Sequence, residues 1–238
     1  MKVLMIDVGG TNLKLMASGH EGRRKVPSGP ELTAGRMVKE VLKATEDWTY
    51  EAVSIGFPGL VVEGRPVREP LNLGGGWLKL DYEKAFGKPV RFINDAAMQA
   101  LASYENGRLL FLGFGTSTGA AVIVDDVIVT LEPGMLRLSR NHTFMSLLSD
   151  KSRRNLGRKR WARSAAEAIE IMRDLFKPDA VVIGGGNAKD VDPLPEGCRI
   201  RDNQMAFRGA QRLWPGDDMI AEPYGSSWRI KRKKPAAS

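Results

Sequence analysis

Val3-Leu4-Met5-Ile6-Asp7-Val8-Gly9-Gly10-Thr11-Asn12 runs from an apolar stretch into a paired-glycine turn. Nothing polar interrupts Val3 to Ile6, which therefore reads as a strand covered on both faces. Behind the turn, Leu13 and Leu15 alternate with Asn12 and Lys14, so Asn12 to Ala17 returns as the second strand of a hairpin. The arrangement recurs later in the chain. Leu109 to Gly113 is an apolar strand, Gly113-Phe-Gly-Thr-Ser-Thr-Gly119 carries a polar, glycine-rich turn, and Ala120 to Val124 is a strand again. Two such units with facing turns imply a duplicated α/β architecture of two lobes around one cleft.

The remaining pattern fills in both halves. Met37, Val38, Val41 and Leu42 share a stripe that predicts a helix over Leu32 to Trp48. A strand at Ala52 to Phe57 ends at Pro58-Gly59. A helix over Leu80 to Phe86 and a strand over Pro89 to Ile93 follow, and Asn94 or Asp95 caps the helix of Ala96 to Tyr104. In the second half, Asp125-Asp126 turns into a strand at Val127 to Thr130. Trp161, Ala165, Ile169, Met172 and Phe176 line one face of a helix, and Ala180 to Ile183 is a strand entering Gly184-Gly185-Gly186. A last helix spans Met205 to Trp214 and Pro215-Gly216 stops it. The expected division is a first lobe over 1–106, a second over 107–214, and a basic, flexible tail over 215–238.

At 238 residues, with 42% hydrophobic and 27% charged side chains, the chain has a globular composition. One cysteine, Cys198, excludes an intramolecular disulfide framework and a cysteine-cluster metal site, which points to the reducing cytoplasm. No apolar run reaches the ~20 residues of a membrane span, and the opening run breaks at Asp7 before a signal-peptide core forms. The net charge of +8 is concentrated. Lys151, Arg153, Arg154, Arg158, Lys159, Arg160 and Arg163 follow one another with no acid between, and Arg229 to Lys234 add a second run. Such clusters suit a polyanion or are solvated faces. The tryptophans do not interleave with them and no nucleic-acid motif is present, so no specific nucleic-acid partner is expected.

Each chemical motif has a plain structural alternative. Gly9 and Gly10 leave backbone N–H groups open to an anion, Thr11 adds a hydroxyl, Lys14 a cation, and Asp7 can hold a hydrated Mg²⁺; the alternative is a type I′ hairpin turn. Gly115, Thr116, Ser117 and Thr118 offer a second phosphate turn or a polar hairpin loop. Asp95 can accept the proton of a substrate hydroxyl, or Asn94-Asp95 is only a helix cap. Gly184 to Asn187 can admit a nucleotide or polyphosphate against the backbone, or is a ligand-free connection. His20 and His142 have no metal-ligand companions.

Taken together the stretches resemble the ROK family of bacterial sugar kinases, within the actin/hexokinase superfamily, and especially its short polyphosphate glucokinase branch. The carrying stretches are Asp7 to Lys14, Gly56-Phe-Pro-Gly59, Asn72-Leu-Gly-Gly-Gly-Trp77, Asn94 to Ala100, Gly113 to Gly119, Gly184 to Lys189, and Asp202 to Gly209 with Arg212-Leu-Trp214. The resemblance implies a two-lobed, actin-like ATPase (ribonuclease H-like) fold. It also implies transfer of a phosphoryl group from polyphosphate or ATP to the 6-hydroxyl of glucose or a related hexose, with Mg²⁺ and without the zinc of other family members. Asp95 then matches the catalytic base. Asn94, Asp95, Glu132, Asn72 and Gly59 match the sugar site. Asp7, Gly9, Gly10, Thr11 and Lys14 match the first phosphate motif, Gly115 and Thr116 the second, and Gly184, Gly185, Gly186 and Asn187 the donor site. A homodimer is also implied.

Two departures stand out. The family pattern Glu-x-x-His reads Glu132-Pro133-Gly134-Met135, which removes one or two sugar hydrogen bonds at about 0.5–1.5 kcal/mol each. Ser117-Thr118 replaces glycine and an aliphatic residue, and a positive φ at Ser117 would cost about 1–2 kcal/mol. An enzyme-derived protein that binds a sugar or polyanion without efficient turnover is the alternative these departures motivate.

Overall fold

In the computed structural model, which describes residues 1–201, 206–216 and 218–233, the two glycine-rich hairpins nucleate two sheets of the same plan. The first half contains β1 (Val3–Val8), β2 (Asn12–Ala17), β3 (Arg24–Pro27), α1 (Ala34–Ala44) and β4 (Ala52–Phe57). It continues with the short ribbon β5 (Val61–Val62) and β6 (Arg65–Pro66), then α2 (Tyr82–Phe86), β7 (Val90–Asn94) and α3 (Asp95–Ser103). Its sheet has the order β3-β2-β1-β4-β7, with β1 antiparallel to β2 and parallel to β4. Every residue of β1 and β4 is buried, as strands covered on both faces require.

The second half opens with β8 (Leu109–Phe114), β9 (Thr118–Val124) and β10 (Val127–Leu131). A small ribbon follows, β11 (Arg137–Ser139) and β12 (His142–Thr143), then α4 (Phe144–Leu148), α5 (Asp150–Leu156) and α6 (Arg158–Phe176). The half closes with β13 (Ala180–Gly184), β14 (Cys198–Ile200), α7 (Ala206–Gln211), β15 (Met219–Tyr224) and β16 (Ser227–Arg232). The strands β10-β9-β8-β13-β14 repeat the order of β3-β2-β1-β4-β7, and β16 and β15 extend that sheet beyond β10. This is the duplicated, two-lobed plan expected of the chain.

α3 lies between the sheets, with Ala96, Ala97, Met98, Ala100 and Leu101 all buried. α7 packs against α3, β1 and β4. Gly209 permits that approach, because a Cβ there would overlap the carbonyl of Met98. The buried Arg212 guanidinium donates to the carbonyls of Leu101 and Tyr104 at 2.6 and 2.9 Å, placing a cation on the C-terminus of α3. Ser54 Oγ donates to Ala210 O and receives Trp214 Nε1, both at 2.8 Å, which anchors the end of α7 on β4. On the other side of the second sheet, Trp161, Ala165, Ile169 and Met172 of α6 form a separate core with Leu110, Leu112 and Ile183.

The flexible tail expected over 215–238 is corrected for Met219 to Arg232. β15 and β16 form an antiparallel hairpin, and β16 pairs with β10 through Val127 and Ile128. Met219, Ala221, Trp228 and Ile230 alternate into the main core. Asp202 to Met205, which belong to the sequence motif and to the expected start of the last helix, lie outside the described residues, as does Lys234.

Candidate active site

A cleft of about 440 Å³ opens between the two glycine-rich turns. Asp7, next to last in β1, lies directly opposite Lys14 on β2, and Lys14 Nζ donates to Asp7 Oδ2 at 2.9 Å. Asp7 is 7% exposed in its side chain, so this pair is held in the cleft wall. The loop between β1 and β2 closes with Gly9 N donating to Asn12 O at 3.2 Å, and Ser28 Oγ holds Gly9 O at 2.7 Å. A Cβ at Gly9 would stand 2.8 Å from Asn12 O, a close approach only glycine allows. Neither Gly9 nor Gly10 adopts a left-handed backbone, so the loop is not the type I′ turn that was the plain alternative.

The second turn faces the first. A Cβ at Gly10 would lie 3.6 Å from the Thr116 side chain, so Gly10 and Thr116 meet across the cleft. Gly115 N donates to Ser117 O at 3.0 Å, and Gly115 O receives Asp150 N at 2.8 Å, which ties the turn to the start of α5. Ser117 is not among the positive-φ residues, so the strain expected of it does not arise. Gly185 does take φ +85°, and a side chain there would overlap the Phe114 backbone. The loop after β13 therefore lies flat against β8, with Asn187 N bonded to Phe114 O at 3.0 Å.

The cap of α3 separates the roles of Asn94 and Asp95. Asn94 Oδ1 accepts from Ala96 N and Ala97 N at 3.0 and 3.1 Å, and its Nδ2 donates to Gly59 O at 3.2 Å. Asn94 is the N-cap, buried and largely committed to the backbone. Asp95 is thereby released to the cleft. One of its oxygens accepts from Ala96 N at 2.8 Å, and the other makes no hydrogen bond among the described residues. Burial, then the facing Asp7 carboxylate, then Glu132, push the Asp95 carboxyl up to about 7 against the opposing pull of the Ala96 amide and Lys14. Burial also pushes the Glu132 carboxyl up.

Asn72, Gly59, Glu132, Gly185, Gly186 and Asn187 also line this cleft, with Asp7, Gly9, Gly10, Thr11, Lys14, Gly115 and Thr116, whereas Gly184 packs behind it on the Phe111 ring. Gln99, one turn beyond Asp95 on α3, and Asp150 line it as well and were not singled out from sequence; the i, i+4 spacing from Asp95 was the available signal for Gln99. Thr118 Oγ1 and Asn187 Nδ2 are buried and have no hydrogen-bond partner among the described residues. Unsatisfied buried polar atoms on the wall of an open cleft fit a polar ligand that completes them.

The profile of the ROK family matches residues 3–136. The chain belongs to the ROK family. It is 36% identical over 114 residues to an N-acetylmannosamine kinase of Vibrio vulnificus (strain CMCP6), a match that spans 44% of this chain and 38% of that protein's length. It is 24% identical over 208 residues to a polyphosphate glucokinase of Mycobacterium tuberculosis (strain CDC 1551 / Oshkosh), spanning 79% of this chain and 78% of that protein. Among solved structures, an inorganic polyphosphate/ATP-glucomannokinase from Arthrobacter sp. strain KM superposes with a TM-score of 0.73 at 24% identity, covering 88% of this chain and 96% of the other. The ROK fold, a two-lobed actin-like ATPase architecture, is thus shared across both lobes.

Within this ROK chain, the loop from Glu132 departs from the expected pocket. Met135 is 79% exposed and does not line the cleft. The turn Pro133–Met135 buries Pro133 and Gly134, and Leu136 N closes it on Pro133 O at 2.9 Å, which leaves the thioether facing outward. The expectation that Met135 merely thins the sugar site is corrected: its position, not only its chemistry, removes it. His142, on β12, is exposed as well.

Proposed function

We propose that this chain is a kinase that transfers a phosphoryl group from ATP or polyphosphate to the 6-hydroxyl of glucose or a related hexose. The observation that carries the reading is Asp95: a carboxylate excused from capping by Asn94, aimed into a cleft between two phosphate-sized turns, with its proton affinity raised to the working range of a general base. The sugar hydroxyl gives its proton to Asp95 as its oxygen attacks the terminal phosphorus, and the bond from phosphorus to the donor's bridging oxygen breaks. The backbone of Gly9 to Thr11 and of Gly115 to Thr116 cradles the transferred group, Lys14 offsets its charge, and Thr118 and Asn187 complete their hydrogen bonding on the donor. Asn94 and Gly59 fix the base, while Asn72 and Glu132 take sugar hydroxyls.

Among the described residues no group of three His, Cys, Asp or Glu side chains could hold a metal alone. A single carboxylate suits Mg²⁺, which keeps several waters and relies on substrate phosphates, so Asp7 would hold it through water. When bound, Mg²⁺ would neutralise charge developing on the phosphates. The donor choice draws support from Lys151, next to Asp150 at the second turn, and from Lys159, Arg160 and Arg163 further on in α6, all exposed and, among the described residues, without ion pairs. A homodimer accompanies this reading, as the ROK resemblance implies, and the single cysteine suits the reducing cytoplasm.

The outward Met135 favours a second reading, a protein that binds sugar or polyanion with little turnover. Glucose 6-phosphate formation, measured with Mg²⁺ and with ATP and long-chain polyphosphate in parallel, separates the two. Turnover with either donor that falls at least a hundredfold in Asp95→Asn is the expected result. Binding of glucose without turnover establishes the second reading.

A further inference from the structure

A second cavity, of about 470 Å³, shares no lining residue with the cleft. Its walls are the turn between β5 and β6, the first three residues of β7, and the C-terminal hairpin β15–β16. The walls are latched together: Glu63 N donates to Gly225 O, and Gly225 N donates back to Glu63 Oε1, both at 2.8 Å.

The charges in this cavity do not cancel in practice. Glu222 is held by Lys231, which does not line the cavity, whereas Glu63 accepts the Gly225 amide and keeps its own charge, so two arginines face one uncompensated carboxylate. Arg91 and Arg65 also line it, and among the described residues neither has a carboxylate within ion-pair distance. Arg91 is half-buried, stacks on Trp214 at 4.4 Å from the ring centroid, and spends one N–H on Leu213 O. Burial pulls its pKa down, with only the more distant Glu222 opposing. A desolvated cation with an unspent fork of donors is costly to leave alone and is matched geometrically by a phosphate. The buried Phe92 and Trp228 supply apolar wall beside it, and the volume exceeds what one inorganic ion fills. A phosphomonoester carries nearly two negative charges at neutral pH, which suits two unpaired arginines.

We propose that this cavity is a binding site for a small phosphomonoester, whose phosphate is held by Arg91 and Arg65 and whose carbon skeleton rests on Phe92 and Trp228.

Isothermal titration of the full chain with glycerol 3-phosphate, at ionic strength fixed with sodium chloride, tests it. The expected result is one saturable site whose affinity drops at least tenfold in Arg65→Ala, an exposed position whose loss leaves the melting temperature unchanged. Arg91→Lys, which keeps the charge and loses the fork, is expected to weaken binding at least fivefold, and Lys14→Ala in the cleft to leave it unaltered. Absence of binding overturns the proposal. So does binding that survives Arg65→Ala or that disappears in Lys14→Ala, which would place the ligand in the cleft. Inorganic phosphate or malonate binding as tightly as glycerol 3-phosphate overturns the assignment to a phosphomonoester.

Discussion

Asp95 stands where stability and chemistry pull in opposite directions. Its carboxyl titrates at about 7 in the folded chain, against about 3.9 in an unfolded one. The fold therefore holds the proton more tightly than the unfolded chain does. The associated stability is fully present below pH ~4 and is lost as pH rises through 7, after which the dependence levels off. Catalysis runs the other way, because only the deprotonated form accepts a hydroxyl proton. The rate at limiting sugar should fall about tenfold per pH unit below 7. Asp95→Asn keeps an acceptor for the Ala96 amide and removes the buried charge. We expect it to melt higher than the wild type at pH 8, by about 1–3 kcal/mol or roughly 3–10 °C, and to melt alike at pH 4. Thermal melts of both proteins across that range check it, and a mutant whose advantage over the wild type is no greater at pH 8 than at pH 4 would show that the site does not strain this carboxylate. The raised pKa itself was not legible in Asn94-Asp95. Either residue could have been the cap, and only the bonds of Asn94 to Ala96, Ala97 and Gly59 show which one was left over.

The elements that sequence periodicity revealed are those with one buried face or two. β1 and β4 are continuous apolar runs, and α6 carries its stripe of Trp161, Ala165, Ile169 and Met172. The segment between Glu132 and Asp150 was not readable. Its helix α4 starts with a capping box in which Ser146 stands at the position usually held by Glu or Gln, and its ribbon β11–β12 is only a few residues long. The basic run behaved differently again. Its seven cations look uniform in sequence, yet Arg153 bridges Asp150 and the buried Asp190, and Arg158 also reaches Asp190. Pairing across so long a stretch of chain leaves no local signal. The run therefore divides into structural and solvated members. Arg153→Ala, which strips a bond from a buried carboxylate, should cost about 1–3 kcal/mol in urea unfolding. The combined Lys159→Gln, Arg160→Gln and Arg163→Gln variant should change stability by less than about 0.5 kcal/mol. It should slow turnover with long polyphosphate more than with ATP. Equal slowing with both donors would make this face a solvated one.

At the scale of the molecule, the duplication explains why one cleft serves both halves. Each sheet presents its first hairpin turn to the other, and α3 and α7, packed together through Gly209 and Arg212, fill the space behind. What the duplication does not explain is the hairpin β15–β16, which has no counterpart in the first sheet. Its alternation was present in the sequence, Trp228 and Ile230 against Arg229 and Lys231, but the basic side chains on the outer face made the stretch look like a solvated tail. The structure makes it part of the core. Met219, Trp228 and Ile230 are buried in the cluster that also contains β1, β4 and α3. Burial of each side chain contributes about 1.5–3 kcal/mol. Three of them approach the ~5–15 kcal/mol by which a whole domain is stable. Truncation would also strip the outer partner from β10 and open an apolar sheet edge to self-association. A chain ending at Gly216 should therefore fail to show a cooperative thermal transition and should aggregate, while Trp228→Phe, which keeps most of the apolar volume, should fold and melt lower. Circular dichroism melts and size-exclusion chromatography of the two variants decide the matter: a truncated chain with wild-type melting and monodisperse elution would mean that the hairpin rests on the fold without supporting it.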